Sequence, residues 1–391
     1  MAELQAGVVG AGLLGSAHAR NLDENPQTRV AAVCDLRMEA AQAVASPLGA
    51  QAFGDVHEML RSHSLDLVVV ATPDAFHREP SMAAMEAGVP NIIQEKPLAT
   101  TVEDALALYE AVEQRGTRFF VNYANRTAPM DIATCYVIRQ GLLGDVVYGE
   151  ARLDDNISVP TRLWGDRSRT WAAGSSTAHF LLSHVVDLLR WYLHPAEVQE
   201  VYAIKQERVL GFTPDLYDAH LLFDNGARMR VKAEWIKHMD ELVEFYMSFS
   251  GSEGMVIYNK LAAFGARPSW RANLSQELDT EQLLGHQNAL LEAGANLRAL
   301  VHRPTPSAVG LSTEGDNTAL ALESWNHSLG KSMALQDYCV DAILGDTLQP
   351  EAWKGPGPLP THHDGLMQSL IVSAIIASAD EGRVVALSEL T

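Results

Sequence analysis

The sequence predicts a doubly wound α/β domain built on a parallel sheet, followed by an α+β domain with a large, mainly antiparallel open sheet. Three observations predict it. Short β-branched runs alternate with helical patterns up to about Tyr123, a glycine-rich turn closes the first of those runs, and after Pro129 strand-like runs follow one another through tight turns instead. The 391 residues are enough for two cores, at about 100 to 200 residues per domain. The expected division is 1–125 for the first domain and 126–391 for the second, with a closing helical segment at 363–380 included in the latter.

In the first domain the strands read Gln5 to Val9, Val30 to Cys34, Leu67 to Ala71, Asn91 to Gln94 and Arg118 to Asn122. Between them, Asp55 and Glu58 give a helix-start signal, and Asp74 to Ala87 reads as a helix closed by Gly88. In the second, a helix from Met130 to Gln140 is stopped by Gly141 and Gly144 and leads into an alternating strand, Asp145 to Asp154. Further strands read Glu197 to Gln206, Asp218 to Phe223, Ala227 to Trp235 and Glu244 to Ser250, with Asp224-Asn225-Gly226 as a hairpin turn. Consecutive strands joined by tight turns imply antiparallel pairing, with helices on one face of the sheet. Beyond about residue 259 the pattern weakens: Asp279 to His302 reads as helical, and a polar loop through Pro304, Pro306 and Gly310 has no assigned role.

The net charge of −20 sets up a field that repels a phosphate backbone, so a nucleic-acid partner is not expected. No apolar run is long enough to span a bilayer, and the first strand begins with no basic segment or cleavage site ahead of it; a cytoplasmic protein without a membrane partner is the expectation. Cys34, Cys135 and Cys339 are far apart and in no CxxC arrangement, and no HxxxH or HExxH pair occurs, so no metal site is expected.

Gly10-Ala11-Gly12-Leu13-Leu14-Gly15 follows an apolar strand and opens a helix, the context in which GxGxxG cradles a pyrophosphate. The first Gly permits the tight turn, the second lets backbone approach the phosphates, and the third lets helix and strand pack closely. Asp35 ends the second strand about 20 residues after the last Gly, where a carboxylate accepts from ribose hydroxyls and repels a 2'-phosphate. NAD is therefore the expected cofactor; NADP is the alternative, for which Arg37 would be the contact. A glycine turn without a ligand, or a flavin or methyl-donor site, fits the same motif.

A second constellation falls at the ends of later strands: Thr72, Pro73, Asp74 and His77, then Glu95, Lys96 and Pro97. Ligands of open α/β sheets bind at those ends, so these residues are expected to line one crevice, with Thr72, Pro73, His77, Glu95 and Lys96 on the cofactor side. A Lys directly after a buried strand loses hydration, which lowers its pKa and suits it to take a hydroxyl proton. The alternative is a lysine paired to Glu95 or Asp74 on the rim.

The GAGLLG turn, Asp35, the segment Ala71-Thr72-Pro73-Asp74-Ala75-Phe76-His77 and the Glu95-Lys96-Pro97 triplet together resemble the glucose-fructose oxidoreductase / inositol dehydrogenase / MocA family. The resemblance continues through Asn122-Tyr123, Arg126, the run Ser183 to Trp191 and His363-Asp364-Gly365. It implies a Rossmann domain joined to an α+β domain, and NAD(P)-dependent oxidation or reduction of sugars, inositols and related polyols. The family's lysine and its second-domain histidine fall on Lys96 and His184, which the resemblance makes the proton-transfer groups, with Tyr123 and Arg126 on the substrate side.

One departure is visible. The family pattern often places an Asp one helical turn before this histidine, and here that position is Phe180. Asp187, three residues after His184, is the expected substitute; His179, five residues before it, points elsewhere on a regular helix. Trp164, Trp171, His179 and Phe180 are expected on the substrate side, with Arg162 and Arg169 nearby, although aromatic packing and solvated charge explain the same residues. The broken carboxylate–histidine pair keeps two further readings open. One is a redox-neutral enzyme with tightly bound NAD that works through a transient keto-sugar; the other is a non-catalytic sugar-binding regulator. The exposed face of the antiparallel sheet is the surface expected to join copies into a homodimer or homotetramer.

Overall fold

The computed structural model describes residues 3–261, 268–275, 278–302, 319–324 and 333–390. Six parallel strands form the first sheet: β1 (Leu4–Val9), β2 (Thr28–Cys34), β3 (Gln51–Phe53), β4 (Leu67–Val70), β5 (Asn91–Glu95) and β6 (Arg118–Asn122). Their order is β3-β2-β1-β4-β5-β6, the order of a dinucleotide-binding Rossmann sheet, whose direction switches between β1 and β4. Helices α1 (Leu13–Glu24), α2 (Met38–Leu48), α3 (Val56–Ser62), α4 (Arg78–Glu86) and α5 (Val102–Arg115) make the crossovers. Every residue of β4 and β5 is buried, as expected of central parallel strands covered on both faces.

The second half begins with α6 (Pro129–Arg139) and β7 (Val146–Asn156), followed by the short helices α7 (Ser158–Thr161) and α8 (Arg167–Ala173) and then α9 (Ser183–Leu193). The strands β8 (Val198–Gln206), β9 (Leu216–Phe223), β10 (Arg228–Lys237), β11 (Val243–Gly251), β12 (Met255–Leu261) and β13 (Ser269–Asn273) come next. They are followed by α10 (Thr280–Glu292), β14 (Arg298–His302), β15 (Ala319–Ser324), α11 (Leu335–Leu344), α12 (His362–Glu381) and β16 (Val385–Ala386). The ten-stranded sheet runs β14-β15-β13-β12-β11-β7-β10-β9-β8-β16 and is antiparallel except where β7 meets β10. Alternation sets its two faces. In β10, Met229, Val231, Ala233 and Trp235 point inward and are buried, while the residues between them are partly solvated.

Helix α12 ties the two sheets together: it packs on α5 and β6 of the first and on β8 of the second. Thr361 and Asp364 form a capping box at its start, and Gly382 closes it in the left-handed region. Helix α11 returns to the first sheet, flanking α1, β5 and β6.

Two sequence expectations are corrected. The helical stretch Asp279 to His302 is helical only to Glu292; Gly294, at φ +87°, ends it, and Arg298–His302 pairs with β15 as a strand, so sheet pairing overrides local propensity. The helix from Asp74 to Ala87 is split, a 3₁₀ turn over Asp74–Phe76 giving way to α4 at His77. Strands β3, β12, β13, β15 and β16 have no counterpart among the strands expected from the sequence. The loop through Pro304, Pro306 and Gly310 lies outside the described residues.

Candidate active site

The glycine turn joins β1 to α1 at the carboxyl end of the sheet. Gly10, at φ +98°, sits so close to β4 that a Cβ there would lie 2.5 Å from the Ala71 carbonyl oxygen, and a Cβ on Gly15 would lie 1.7 Å from that of Gly10. A Cβ on Gly12 would meet nothing within 4 Å, so the middle glycine opens onto free space at the start of α1. Asp35 lies beside it, Oδ2 accepting from the Ala11 amide at 2.9 Å and Oδ1 from the Arg37 amide at 2.9 Å. Around this opening, Leu13, Leu14, Leu36, Met38 and Phe76 are all exposed, an apolar rim at the ends of β1, β2 and β4. The Arg37 side chain is half exposed, with Nε 3.3 Å from Asp35 Oδ1.

At the end of β4, Thr72 Oγ1 donates to the Phe76 carbonyl and Pro73 is exposed, whereas His77 is buried, its Nδ1 2.7 Å from the Pro97 carbonyl and its Nε2 2.9 Å from that of Thr72. Both ring nitrogens are engaged, so His77 fastens two strand-end loops together. Glu95 is likewise engaged. Its Oε1 accepts from Asn122 at 2.8 Å and lies 2.8 Å from His18 Nε2, while His18 Nδ1 is 2.5 Å from Gln336 Oε1 on α11. Burial disfavours both charges, but the His18–Glu95 contact outweighs it, raising the imidazole and lowering the carboxyl. Glu95 is thus a satisfied buried ion pair at the base of α1.

Lys96 follows directly, buried at the domain junction. Its Nζ donates to the Phe180 carbonyl at 3.0 Å and lies 4.0 Å from the centre of the Phe180 ring. Burial lowers its pKa, against the opposing charges of Asp74, Glu95 and Asp155. Phe180 belongs to Ala178–Leu182, wound as a π-turn ahead of α9. The wide winding removes the reason to place His179 on a far face: its Nε2 reaches the Thr100 carbonyl at 3.1 Å, its Nδ1 lies 3.0 Å from Ser176 Oγ, and burial lowers its pKa. Phe180 packs edge-on against Trp171 at 4.7 Å, Trp171 against Trp164 at 4.5 Å, and Trp235 completes the cluster, 5.4 Å from Trp171. Arg162 is exposed, and Arg169 lies over Phe212.

His184, on the first turn of α9, has its Nδ1 buried with no hydrogen-bond partner among the described residues, and burial together with the charges of Lys96 and Lys260 pushes its pKa well down. These effects disfavour the imidazolium and keep the ring neutral. Asp187 does not orient it. The Asp187 carboxylate receives both arms of Arg126, Nε at 3.0 Å and Nη2 at 2.6 Å, and the same guanidinium reaches Asp364 at 2.9 Å. A guanidinium fork matched to a carboxylate captures it more completely than an adjacent imidazole can. Arg126 and Tyr123, expected on the substrate side, are consequently buried, Tyr123 donating to Gln368 at 2.9 Å.

Three participants were missed by the sequence reading. His18 has a signal, since α1 buries Gly15, His18 and Leu22 at helical spacing. Trp235 and Asp155 lie near the ends of β10 and β7. Asp155 is buried, its Oδ2 accepts from Trp235 Nε1 at 3.1 Å, and burial pushes it up to about 7 against the pull of that N–H and of Lys96. Among the described residues, no group of three or more His, Cys, Asp or Glu could hold a metal ion, and no helix is long and apolar enough to cross a membrane.

Residues 4–123 match the family model described as oxidoreductase family, NAD-binding Rossmann fold, and residues 135–257 match the GFO/IDH/MocA C-terminal domain. Among curated relatives, inositol 2-dehydrogenase of Rubrobacter xylanophilus is 28% identical over 56% of this chain and 60% of its own length, and that of Acidothermus cellulolyticus is 32% identical over 56% and 62%. The chain thus spans about three fifths of these relatives. Among solved structures, the WlbA dehydrogenase of Bordetella pertussis in complex with NADH and UDP-GlcNAcA has a TM-score of 0.74 at 23% identity, covering 98% of both chains. Levoglucosan dehydrogenase in complex with NADH and L-sorbose has 0.73 at 22%, covering 99% of both. At these identities the two structures establish likeness of fold.

Proposed function

The chain belongs to the GFO/IDH/MocA oxidoreductase family, and on that premise we propose that it is an NAD-dependent oxidoreductase acting on a carbinol of a sugar, inositol or glycoside. The observation that carries the reading is Lys96: a buried amine, lowered by desolvation, at the end of β5 where the glycine-turn crevice meets the aromatic wall of the second half. The crevice suits NAD, with open space at Gly12, the α1 amino terminus facing it and Asp35 beside it. NAD supplies the hydride acceptor when bound. Gly10, Gly12, Leu13, Leu14 and Gly15 would hold its phosphates, Asp35 its ribose, and Thr72 and Pro73 the next strand end.

The chain's own task is the proton. Lys96 Nζ takes it from the substrate hydroxyl in oxidation and returns it in reduction, and neutral His184 is a second acceptor at the same wall. Trp164, Trp171 and Phe180 offer aromatic faces of the kind on which the C–H side of a sugar ring packs. Val147, Tyr148, Tyr202 and Ile204 leave apolar surface exposed on the large sheet, which supports pairing of two copies there.

The test is NADH formation from a panel of inositols, hexoses and glycosides, with NAD and NADP titrated separately. NAD binds more tightly because of Asp35; tighter NADP binding would transfer that role to Arg37. Lys96→Met lowers turnover by about 100-fold or more while leaving NAD affinity nearly unchanged. Substrate turnover without net NADH would replace this reading with the redox-neutral one.

A further inference from the structure

The glycine-turn helix and the lysine strand meet at one buried histidine. His18 lies on α1 three residues after Gly15, its Nε2 2.8 Å from Glu95 Oε1 on β5 and its Nδ1 2.5 Å from Gln336 Oε1 on α11. Further hydrogen bonds decide which of these atoms accept. Gln336 Nε2 donates to the His18 backbone carbonyl at 3.2 Å, which turns the amide oxygen toward the ring. Glu95 receives Asn122 Nδ2 on Oε1 at 2.8 Å and the Lys96 backbone N–H on Oε2 at 3.3 Å, and donors on both oxygens favour the carboxylate over the acid. Both ring nitrogens of His18 therefore face oxygens that accept. A neutral imidazole has one N–H to give; the imidazolium has two.

We propose that His18 is a positioning residue, held as a buried imidazolium, that locks the Lys96 backbone to α1 through the Glu95 carboxylate. The chain of contacts is short: α11 holds the ring, the ring holds Glu95, and Glu95 holds the backbone N–H of Lys96. Burial disfavours both charges, yet the contact between them raises His18 and lowers Glu95. Charge on both partners makes such a hydrogen bond about twice as strong as a neutral one, and so a stiffer link. A neutral ring would have to turn a lone pair toward one of the two oxygens, releasing either α11 or the corner formed by Glu95 and Lys96.

The Lys96 charge also favours the Glu95 carboxylate, and Asp337, next to Gln336 on α11, accepts from Asn25 Nδ2 at 3.0 Å. What the link supplies to turnover rests on the oxidoreductase reading. There α1 opens at the glycine turn that would hold the cofactor, Lys96 takes the substrate proton, and a misplacement of about 1 Å between them costs about 100-fold.

The deciding measurement is a ring-nitrogen NMR spectrum of the free protein carrying isotope-labelled histidine. The His18 signals are assigned by their loss in His18→Gln or, where that variant does not fold, by their contact with the Gln336 amide. At about pH 7.5, above the ordinary histidine value, both His18 nitrogens carry protons. In Glu95→Gln the anion is gone, and at the same pH the ring is neutral with one nitrogen bare. A neutral ring in the parent protein, or an imidazolium that survives in Glu95→Gln, overturns the proposal. No NAD or substrate is present, so this failure is distinct from failure of the oxidoreductase reading. In turnover, His18→Gln keeps one N–H toward Glu95 and removes the charge and the second donor. Its kcat falls by about 10- to 100-fold while the substrate KM stays nearly unchanged. The parent protein loses activity as pH rises through the raised His18 value, because deprotonation releases the link, and His18→Gln, with no ring to titrate, lacks that alkaline loss. A kcat within about twofold of the parent's, or an alkaline loss at the parent's midpoint in His18→Gln, also overturns the proposal.

Discussion

Helix α9 separates two buried charge clusters that obey opposite rules. On one side, Asp187 and Arg190 join Arg126, Asp364 and Glu197 in a network where each charge meets an opposite one. On the other, one turn earlier, His184 and the Phe180 carbonyl lie toward Lys96, and the carboxylate of Asp155 has one side-chain hydrogen bond among the described residues. Burial is similar, but its consequences are not. In the first cluster the charges persist: burial alone would raise Asp364, yet Arg126 and Arg190 hold it at about 2, and Asp187, pushed up to about 6, still ionises below neutral pH. In the second, incomplete pairing leaves Lys96 lowered, His184 lowered and Asp155 raised, all toward their neutral forms. Complete pairing makes a buried charge structural, whereas incomplete pairing leaves a proton that can move.

The largest expected effect breaks the satisfied side. Arg126→Met strands Asp187 in the core and should cost about 3–5 kcal/mol of folding stability, read by denaturant unfolding. Lys96→Met, at the unsatisfied side, removes a desolvated cation and should change stability by less than about 1 kcal/mol or raise it. Equal losses in the two variants would erase the distinction.

The same substitution on either side of α9 sharpens it through pH. Asp155 holds its proton longer folded than unfolded, so it removes stability as pH rises from about 4 to its folded value near 7, by at most about 4 kcal/mol. Asp155→Asn should therefore compare better with the parent protein at pH 8 than at pH 5. Asp187→Asn takes a partner from Arg126 and should destabilise at both, by about 3 kcal/mol. Melting curves at the two pH values check the sign.

The smallest effect concerns coupling between the clusters. His184 and Asp187 have no shared hydrogen-bond partner, so His184→Ala and Asp187→Asn should add within about 0.5 kcal/mol in stability. A larger interaction energy in the double variant would mean that the two clusters work as one.

The sequence by itself determined the parallel sheet, the glycine turn, Asp35 and Lys96, because each depends on neighbours close along the chain. Hydrophobic alternation, three glycines after a strand and a lysine directly behind a buried strand are local facts, and the backbone geometry they require is local too. It also exposed Phe180 as a departure. What only the tertiary structure decided is where charges find partners. Arg126 and Asp187 lie 61 positions apart, Lys96 and Phe180 84, and His18 and Gln336 318. No periodicity in a single chain encodes which carboxylate a guanidinium will reach. Glu95 and His77 therefore read as cofactor contacts, while their partners His18, Asn122 and two backbone carbonyls came only with the tertiary structure. Asp155, one residue past the strand read as Asp145 to Asp154, carries no signal in the sequence, since a low-dielectric interior makes charge–charge energies depend on spatial distance and shared burial, both fixed only when the two halves pack.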